Sequence, residues 1–552
     1  MINGISDLLT RRSRLAIKLL IATVLILLST LFGLVGCTYK IESYEDWMAL
    51  ADGGTASIYD KVSLESDIDF AGREFHTADL SGMPLDGNGH ALKNISYTSA
   101  TSNFVLLTDC DRTVANLVIE NIYLDIQTEG ANVSVFRDMV DSFENVTITG
   151  TINAPNAESV GGFAFQYSNP AAGKVFKNCI SDLTINGGDT AGGFLAFART
   201  AAFESCENKS DVTAKIAAGG FVGASREDYE NDRYVASREI KLTSCSNSGV
   251  ITSNGTAAGL VGTGEKCVIT DCRNDGEING VCGVAGLVGS LMGEVSNSVN
   301  NAKITVIAPA SDNIANVGGI VGVLNGKSNV SSCTNNGEIS NPFYISGGIV
   351  GSCNGNVDGC VNNGIVTGTA SVGGIIGFVG DEFDPWTISI TTLKVSNCTN
   401  NADVRGKLFC GGIVGMADLN KFDNATYDAS EYITEYVQMG FTAIEFGYKV
   451  TNNLIFGEDV SMKRFTDQEI TDFINSILKL FTRATRLQLS GCNSTGKVCA
   501  TNFAGGYVGV MFSCMVESEE FGTNSFTGVL DCEGVKTDGC TYVNAVDIEG
   551  LK

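Results

Sequence analysis

Apolar positions recur along this chain in short stretches with a long fixed period. Between residues 160 and 509 an apolar strand-like element with paired small residues returns as VGGFAF (160–165), AGGFLAF (191–197), AGGFVG (218–223), AAGLVG (257–262), VAGLVG (284–289), VGGIVG (317–322), SGGIVG (346–351), VGGIIG (372–377), CGGIVG (410–415) and AGGYVG (504–509). A second element lies upstream of each: apolar, any residue, Asn/Ser/Asp/Gly, then usually Cys. It reads FKNC (176–179), FESC (203–206), LTSC (242–245), ITDC (269–272), VSSC (330–333), VDGC (357–360), VSNC (395–398) and LSGC (489–492), with VSNS (295–298) as a serine variant. Earlier units carry an aliphatic in the last place: LKNI (92–95), VANL (114–117) and FENV (143–146).

From the cysteine to the next Gly-Gly is 13 residues in most units, as from 179 to 192 or 360 to 373. A fixed core with elastic connections is the signature of stacked coils. The elements are short, β-branched and bounded by Asn-Asn-Gly or Gly-Gly, so they predict strands and tight turns. Helical repeats would need longer stretches at a 3.6-residue period. The register predicts two stacks. Cys179, Cys206, Cys245, Cys272, Cys333, Cys360, Cys398 and Cys492 share one inward position, and two residues on lie Asn208, Asn247, Asn274, Asn300, Asn335, Asn362 and Asn400. Stacked asparagines can bond to one another and to the backbone of the next coil. The glycines are expected to allow close approach of coils and positive φ at the bend.

Composition narrows the classes. The 552 residues include 65 Gly, 6 Pro and 18 Cys, with a formal net charge of −26. Mean hydropathy is +0.13, which argues against disorder. The acidic balance makes nucleic acid a poor partner. Only His76 and His90 are present, so histidine-rich metal sites are excluded. His90, in DGNGH, reads as a turn residue. Eighteen cysteines suggest disulfides, but so many on one inward position read better as small buried apolar residues. No paired C-x-x-C clusters point to structural zinc.

The front of the chain reads as an export signal. RRSRLAIK (11–18) precedes an uncharged apolar run from Leu19 to Val35, ending Leu34-Val35-Gly36-Cys37. That resembles a lipobox, making Cys37 the lipidation site and 1–37 the signal and anchor. The alternatives are an uncleaved membrane helix over 15–36 and a plain secretory signal. Each places the rest outside the cytoplasm, on the extracellular face of a bacterial envelope. Residues 38–61 read as an N-terminal cap, with a short amphipathic helix at 43–52, and 62–552 as the repeat domain.

Gly259-Leu260-Val261-Gly262 and Gly286-Leu287-Val288-Gly289 match the motif that names the GLUG-motif bacterial surface proteins. VSLESDIDFAG (62–72) and LDGNGHALKNI (85–95) also resemble their opening coils, and the resemblance covers roughly 62–540. It implies an all-β, right-handed parallel β-helix of the pectate-lyase-like superfamily, here with at least twelve coils and a partly helical insertion. That fold hosts adhesins, lyases and glycosidases alike.

Three insertions, 224–241, 378–392 and 416–488, leave from the same point of the repeat and so from one corner of the rod. The first holds Tyr229 and Tyr234. The second groups Trp386 and Phe383 with Asp381, Glu382 and Asp384. The third contains TDQEITDFINSILKLFTRAT (466–485), a helix with a capping box at Thr466 and Glu469. Aromatic faces suit sugar rings, and carboxylates accept hydroxyl hydrogens or hold Ca²⁺. Ca²⁺ is the one cofactor these residues suggest, although DEFD lacks an EF-hand spacing. Alternatively, Trp386 packs under the helical segment and the acids are simply solvated. The expected function is adhesin-like binding of a glycan or a surface protein. The alternatives are a polysaccharide lyase or glycosidase on the same scaffold, and a structural spacer. No acidic or basic constellation repeats on adjacent coils, which weighs against catalysis.

Overall fold

The computed structural model describes residues 37–543 apart from 54–58, 81, 102–103, 109–111, 137–141, 169–174, 226–227, 231–232, 236–238, 309–314, 327, 381–391, 419–485, 513–522 and 538–539. The apolar run before Cys37 and the helix expected at 466–485 lie outside the described residues. No described helix is long and apolar enough to cross a membrane.

One coil shows the unit. It contains five short strands, Asn329–Ser331, Thr334–Asn335, Ile339–Ser340, Ile345–Gly347 and Val350–Cys353. Each pairs in parallel with its counterpart in the next coil: Val330 with Val357, Asn335 with Asn362, Ile339 with Val366, Gly347 with Gly373, and Val350 with Ile376. The chain is therefore an all-β solenoid of parallel β-helix type. The first strand's register passes through Tyr39, Val62, Leu85, Val114, Phe143, Phe176, Phe203, Leu242, Ile269, Val295, Val330, Val357, Val395 and Leu489, which is fourteen layers. At ~4.8 Å per layer the rod is roughly 60 Å long. Stacking begins at Thr38, well ahead of the point where the sequence repeat becomes readable.

The polar third residue of apolar-x-x-Cys has a backbone reason. Asn178, Ser205, Ser244, Asp271, Ser332 and Asn397 all have φ between +52° and +56°, and Gly359 and Gly491 reach +62° and +64°. This left-handed corner turns the chain from first strand to second. Asn, Asp and Gly enter that region at least cost. The Gly-Gly pairs correct one expectation, because none of the pairs has positive φ. Their role is close approach. A Cβ on Gly348 would strike the amide of Asn362 and the carbonyl of Gly374, and one on Gly374 would strike Asn400 and the carbonyl of Gly412.

The asparagines form a continuous buried ladder. Each Nδ2 donates to the Oδ1 one layer on: Asn208 to Asn247 at 2.6 Å, then 2.7, 2.8, 2.8, 2.9 and 2.9 Å through Asn274, Asn300, Asn335 and Asn362 to Asn400. The ladder ends on the Ser494 hydroxyl at 3.4 Å. The second Nδ2 hydrogen goes to a carbonyl two residues on, as from Asn362 to Gly364 at 2.9 Å, while Asn362 Oδ1 accepts from Gly364 N–H at 3.3 Å. Every donor and acceptor of a fully buried amide is thereby paired.

Outside the rod, shorter asparagine ladders run with the opposite polarity, each donating toward the N-terminal layer. Their terminal acceptors are carboxylates: Asn94 to Asp69 at 2.9 Å, Asn116 to Asp86 at 3.1 Å, Asn153 to Asp125 at 2.8 Å and Asn301 to Asp275 at 2.8 Å. A row of amides leaves an unmatched donor at one end, and a carboxylate only accepts. The Asn94 bond, then the Ala71 N–H, holds the Asp69 carboxyl below its ordinary range.

The cysteine ladder is fully buried from Cys179 to Cys492, with Ser298 in its gap. Each thiol faces carbonyls, as Cys206 Sγ does Phe176 O at 3.2 Å and Cys333 Sγ does Ser331 O at 3.2 Å. Burial, then sulfur contacts with Cys179 and Cys245, pushes the Cys206 thiol up. Burial pushes Cys267 and Cys353 up to about 12. Fifteen cysteines are free thiols, and of these Cys37, Cys282, Cys499 and Cys532 reach solvent. Of these fifteen, a thiol reagent should therefore modify at most those four quickly in the folded protein. The eleven buried ones should react only on unfolding. Fast native reaction of most thiols, or few thiols in denatured, unreduced protein, would contradict this packing.

Two phenylalanine columns fill the core of the middle coils. Phe143, Phe176 and Phe203 stack with centroids 4.9 and 4.7 Å apart, and Phe163, Phe194 and Phe221 at 4.7 and 4.8 Å. The columns meet edge to face, as Phe194 meets Phe203 at 5.5 Å. Later coils replace the rings with Leu260, Leu287, Ile320, Ile349, Ile375 and Ile413, all fully buried. The N-terminal end is closed by a helix, Tyr44–Ala51, whose N-cap Ser43 accepts from Asp46 N–H. Its Trp47 is buried and donates to His76 O at 3.0 Å, and it packs against Phe70 and Phe75.

Candidate binding edge

The fifth strand positions all three insertions. Its register runs Val222, Val261, Val288, Val321, Val350, Ile376, Val414 and Val508. The first insertion leaves after Ser225, the end of its fifth strand. The second leaves beyond Val379, which pairs with Ala417, and the third beyond Asp418. The second and third are thus rooted in adjacent layers, and the first five layers away. First strands resume at Glu239, Thr392 and Arg486. The roots share one edge of the rod because the fifth strand always ends at the same place in the coil.

The outward row of that strand mixes small, polar and apolar side chains. It runs Phe197, Ala224, Thr263, Ser290, Val323, Ser352, Phe378, Met416 and Val510, and the second and third insertions depart beyond Phe378 and Met416. Both are half-buried.

The candidate residues fall into three groups. In the first insertion, Asp228–Glu230 and Arg233–Val235 form an antiparallel hairpin that sets Tyr229 opposite Tyr234. Trp386, Phe383, Asp381, Glu382 and Asp384 lie outside the described residues. Cys37 is exposed, its N–H donates to Asp60 Oδ2 at 3.0 Å, and its carbonyl accepts from Asp60 N–H at 2.8 Å.

His90 closes a turn, with its N–H on Gly87 O at 2.8 Å. Its ring lies 3.3 Å from Asp67 Oδ1, and Lys93 bridges Asp67 at 2.8 Å and Glu120 at 3.4 Å. The Lys93 bond, then the Ala91 N–H, keeps the Asp67 carboxyl below its usual range. These groups are partly exposed and satisfy one another. Among the described residues no group of three or more His, Cys, Asp or Glu is placed to hold a metal ion.

No family model matches this chain, and no curated protein matches it. Among solved structures, it is similar to a Bacteroides ovatus protein described as a candidate immunoglobulin A1 protease, at 15% identity and a TM-score of 0.21, over 67% of this chain and 77% of that one. The fold assignment rests on the strand register and the amide ladder, and takes nothing from that likeness.

Proposed function

We propose that this chain is an exported surface protein, anchored to the envelope through Cys37, that binds a glycan or protein ligand with loops along one edge of a rigid rod. The common root of three insertions on the fifth-strand edge carries this reading. A solenoid presents its variable segments on the face that does its work. The GLUG-like motifs and the lipobox-like Leu34-Val35-Gly36-Cys37 agree with it. Trp386 and Phe383 supply the aromatic platform, Asp381, Glu382 and Asp384 accept hydroxyl hydrogens or hold Ca²⁺, and Tyr229 and Tyr234 belong to the same edge some five layers away.

A polysaccharide lyase or glycosidase is the second reading, since clustered carboxylates beside aromatic residues also suit sugar chemistry. Purified 38–552 on a glycan array, with assays for released reducing ends and unsaturated uronates, separates the two. Binding without turnover supports the proposal, and turnover on any polysaccharide replaces it. Trp386→Ala should weaken binding by about 1–3 kcal/mol, or roughly 5–150-fold, as expected for a central aromatic anchor. Its thermal midpoint should stay within a few degrees of the parent. A large stability loss would instead make Trp386 a packing residue.

A further inference from the structure

We propose that the rod stands end-on against a lipid surface, with its N-terminal cap facing the bilayer and Cys37 as an anchor without a linker. This rests on the reading that Cys37 carries the lipid; what it adds is the posture of the rod. That posture follows from how Cys37 is held.

Cys37 is exposed, yet both of its backbone polar groups are tied to Asp60, at 3.0 and 2.8 Å. The next residue opens the first strand, Thr38–Ile41, in register with Lys61–Leu64. Tyr39 then packs edge-on against Tyr59 at 5.2 Å and donates its hydroxyl hydrogen to Asp46 O at 2.9 Å. No unpaired residue separates the anchor from the first layer. A flexible linker of fifteen residues would let the rod wander by roughly 20 Å. An N-acylated Cys37 keeps one amide hydrogen, the one that Asp60 accepts.

Charge favours standing over lying. The chain carries a net charge of −26, and bacterial lipid surfaces with anionic headgroups repel it within a Debye length of about 8 Å. Contact through one end brings only the first layers into that zone, whereas a rod lying down brings in a face of every layer. Residues 37–80 at this end carry ten Asp or Glu against Lys40, Lys61 and Arg73, so the lipid supplies the attachment and holds this end against that repulsion. The first insertion is rooted in the seventh layer, the others in the twelfth and thirteenth. Their roots then stand roughly 30 Å and 50–60 Å above the headgroups.

Neutron reflectometry of the lipidated full-length chain, on a supported bilayer of phosphatidylethanolamine and phosphatidylglycerol, tests this. The expected protein layer is at least ~60 Å thick. A layer thinner than half that value overturns the posture. A variant with fifteen Gly/Ser residues between Cys37 and Thr38 should give a thinner, broader profile. An unchanged profile would show that the missing linker does not set the posture. Mass spectrometry of the wild type and bilayer binding by Cys37→Ser identify the failing part. An unlipidated wild type, or a Cys37→Ser variant that still binds, defeats the anchoring reading itself. A lipidated but thin layer defeats only the posture.

Discussion

Asn362→Leu should destabilise the central coils by about 4 kcal/mol or more, among the largest effects expected of any single change in the rod. The substitution removes a side chain bonded to Asn335, Asn400 and both polar groups of Gly364. It strands one Nδ2 hydrogen of Asn335 and the Gly364 N–H in a site that water does not reach, at about 1–3 kcal/mol each. A branched side chain also has no room, because Gly348 already lies against this amide. Gly348→Ala should therefore reproduce much of the loss from the other side of the core. A long solenoid does not melt in one step, so hydrogen exchange by layer is the better measurement. Protection should collapse around residues 330–400 and persist near residues 90–200. Uniform loss, or a loss under about 1 kcal/mol, would mean that the ladder is not a principal support.

The second large effect is Phe194→Ala. Its ring is fully buried, stacks on Phe163 and Phe221 at 4.7 and 4.8 Å, and meets Phe203 edge-on at 5.5 Å. Truncation leaves a cavity between two stacked rings, for about 3–5 kcal/mol. The lost aromatic contacts fall within that range, at about 0.5–1.5 kcal/mol apiece. Phe194→Leu should recover more than half, because aliphatic residues hold the same position from Leu260 onward. Denaturation midpoints of the three proteins check this, and equal losses for Ala and Leu would show that ring stacking outweighs volume.

Several features were legible in the chain because each coil repeats the same constraint. The inward cysteines and asparagines show in one alignment of the repeat, and so does the shared departure point of the insertions. The pairing of Asn with Gly-Gly did not show. Gly348 meets Asn362 of the next coil, and Gly374 meets Asn400, so the dependence crosses both the core and a layer boundary. The bend falls at a different residue from the one the glycines suggest, for a related reason. Glycine suggested positive φ, but Asn, Ser and Asp before the cysteine supply it, and the paired glycines are selected by approach distance instead. The earliest layer carries neither motif: Thr38–Ile41 falls in the stretch 38–61 that reads as a cap, and it pairs in register with Lys61–Leu64. The chemistry of the edge is the least legible part, since Trp386 and its neighbours occur once and no period constrains them.

Spin-label distances along the outward row of the fifth strand test the stacking most directly. With Cys37, Cys110, Cys282, Cys499, Cys514, Cys532 and Cys540 replaced by serine, the remaining eleven thiols are buried and should stay unlabelled. Labels at positions 224 and 352 span four layers, and labels at 224 and 416 span six. The backbone separations should be about 19 Å and 29 Å, rising by ~4.8 Å per layer. Distances that fail to grow with layer number, or exceed twice these values, would show that the coils do not lie over one another and that the insertions share no edge.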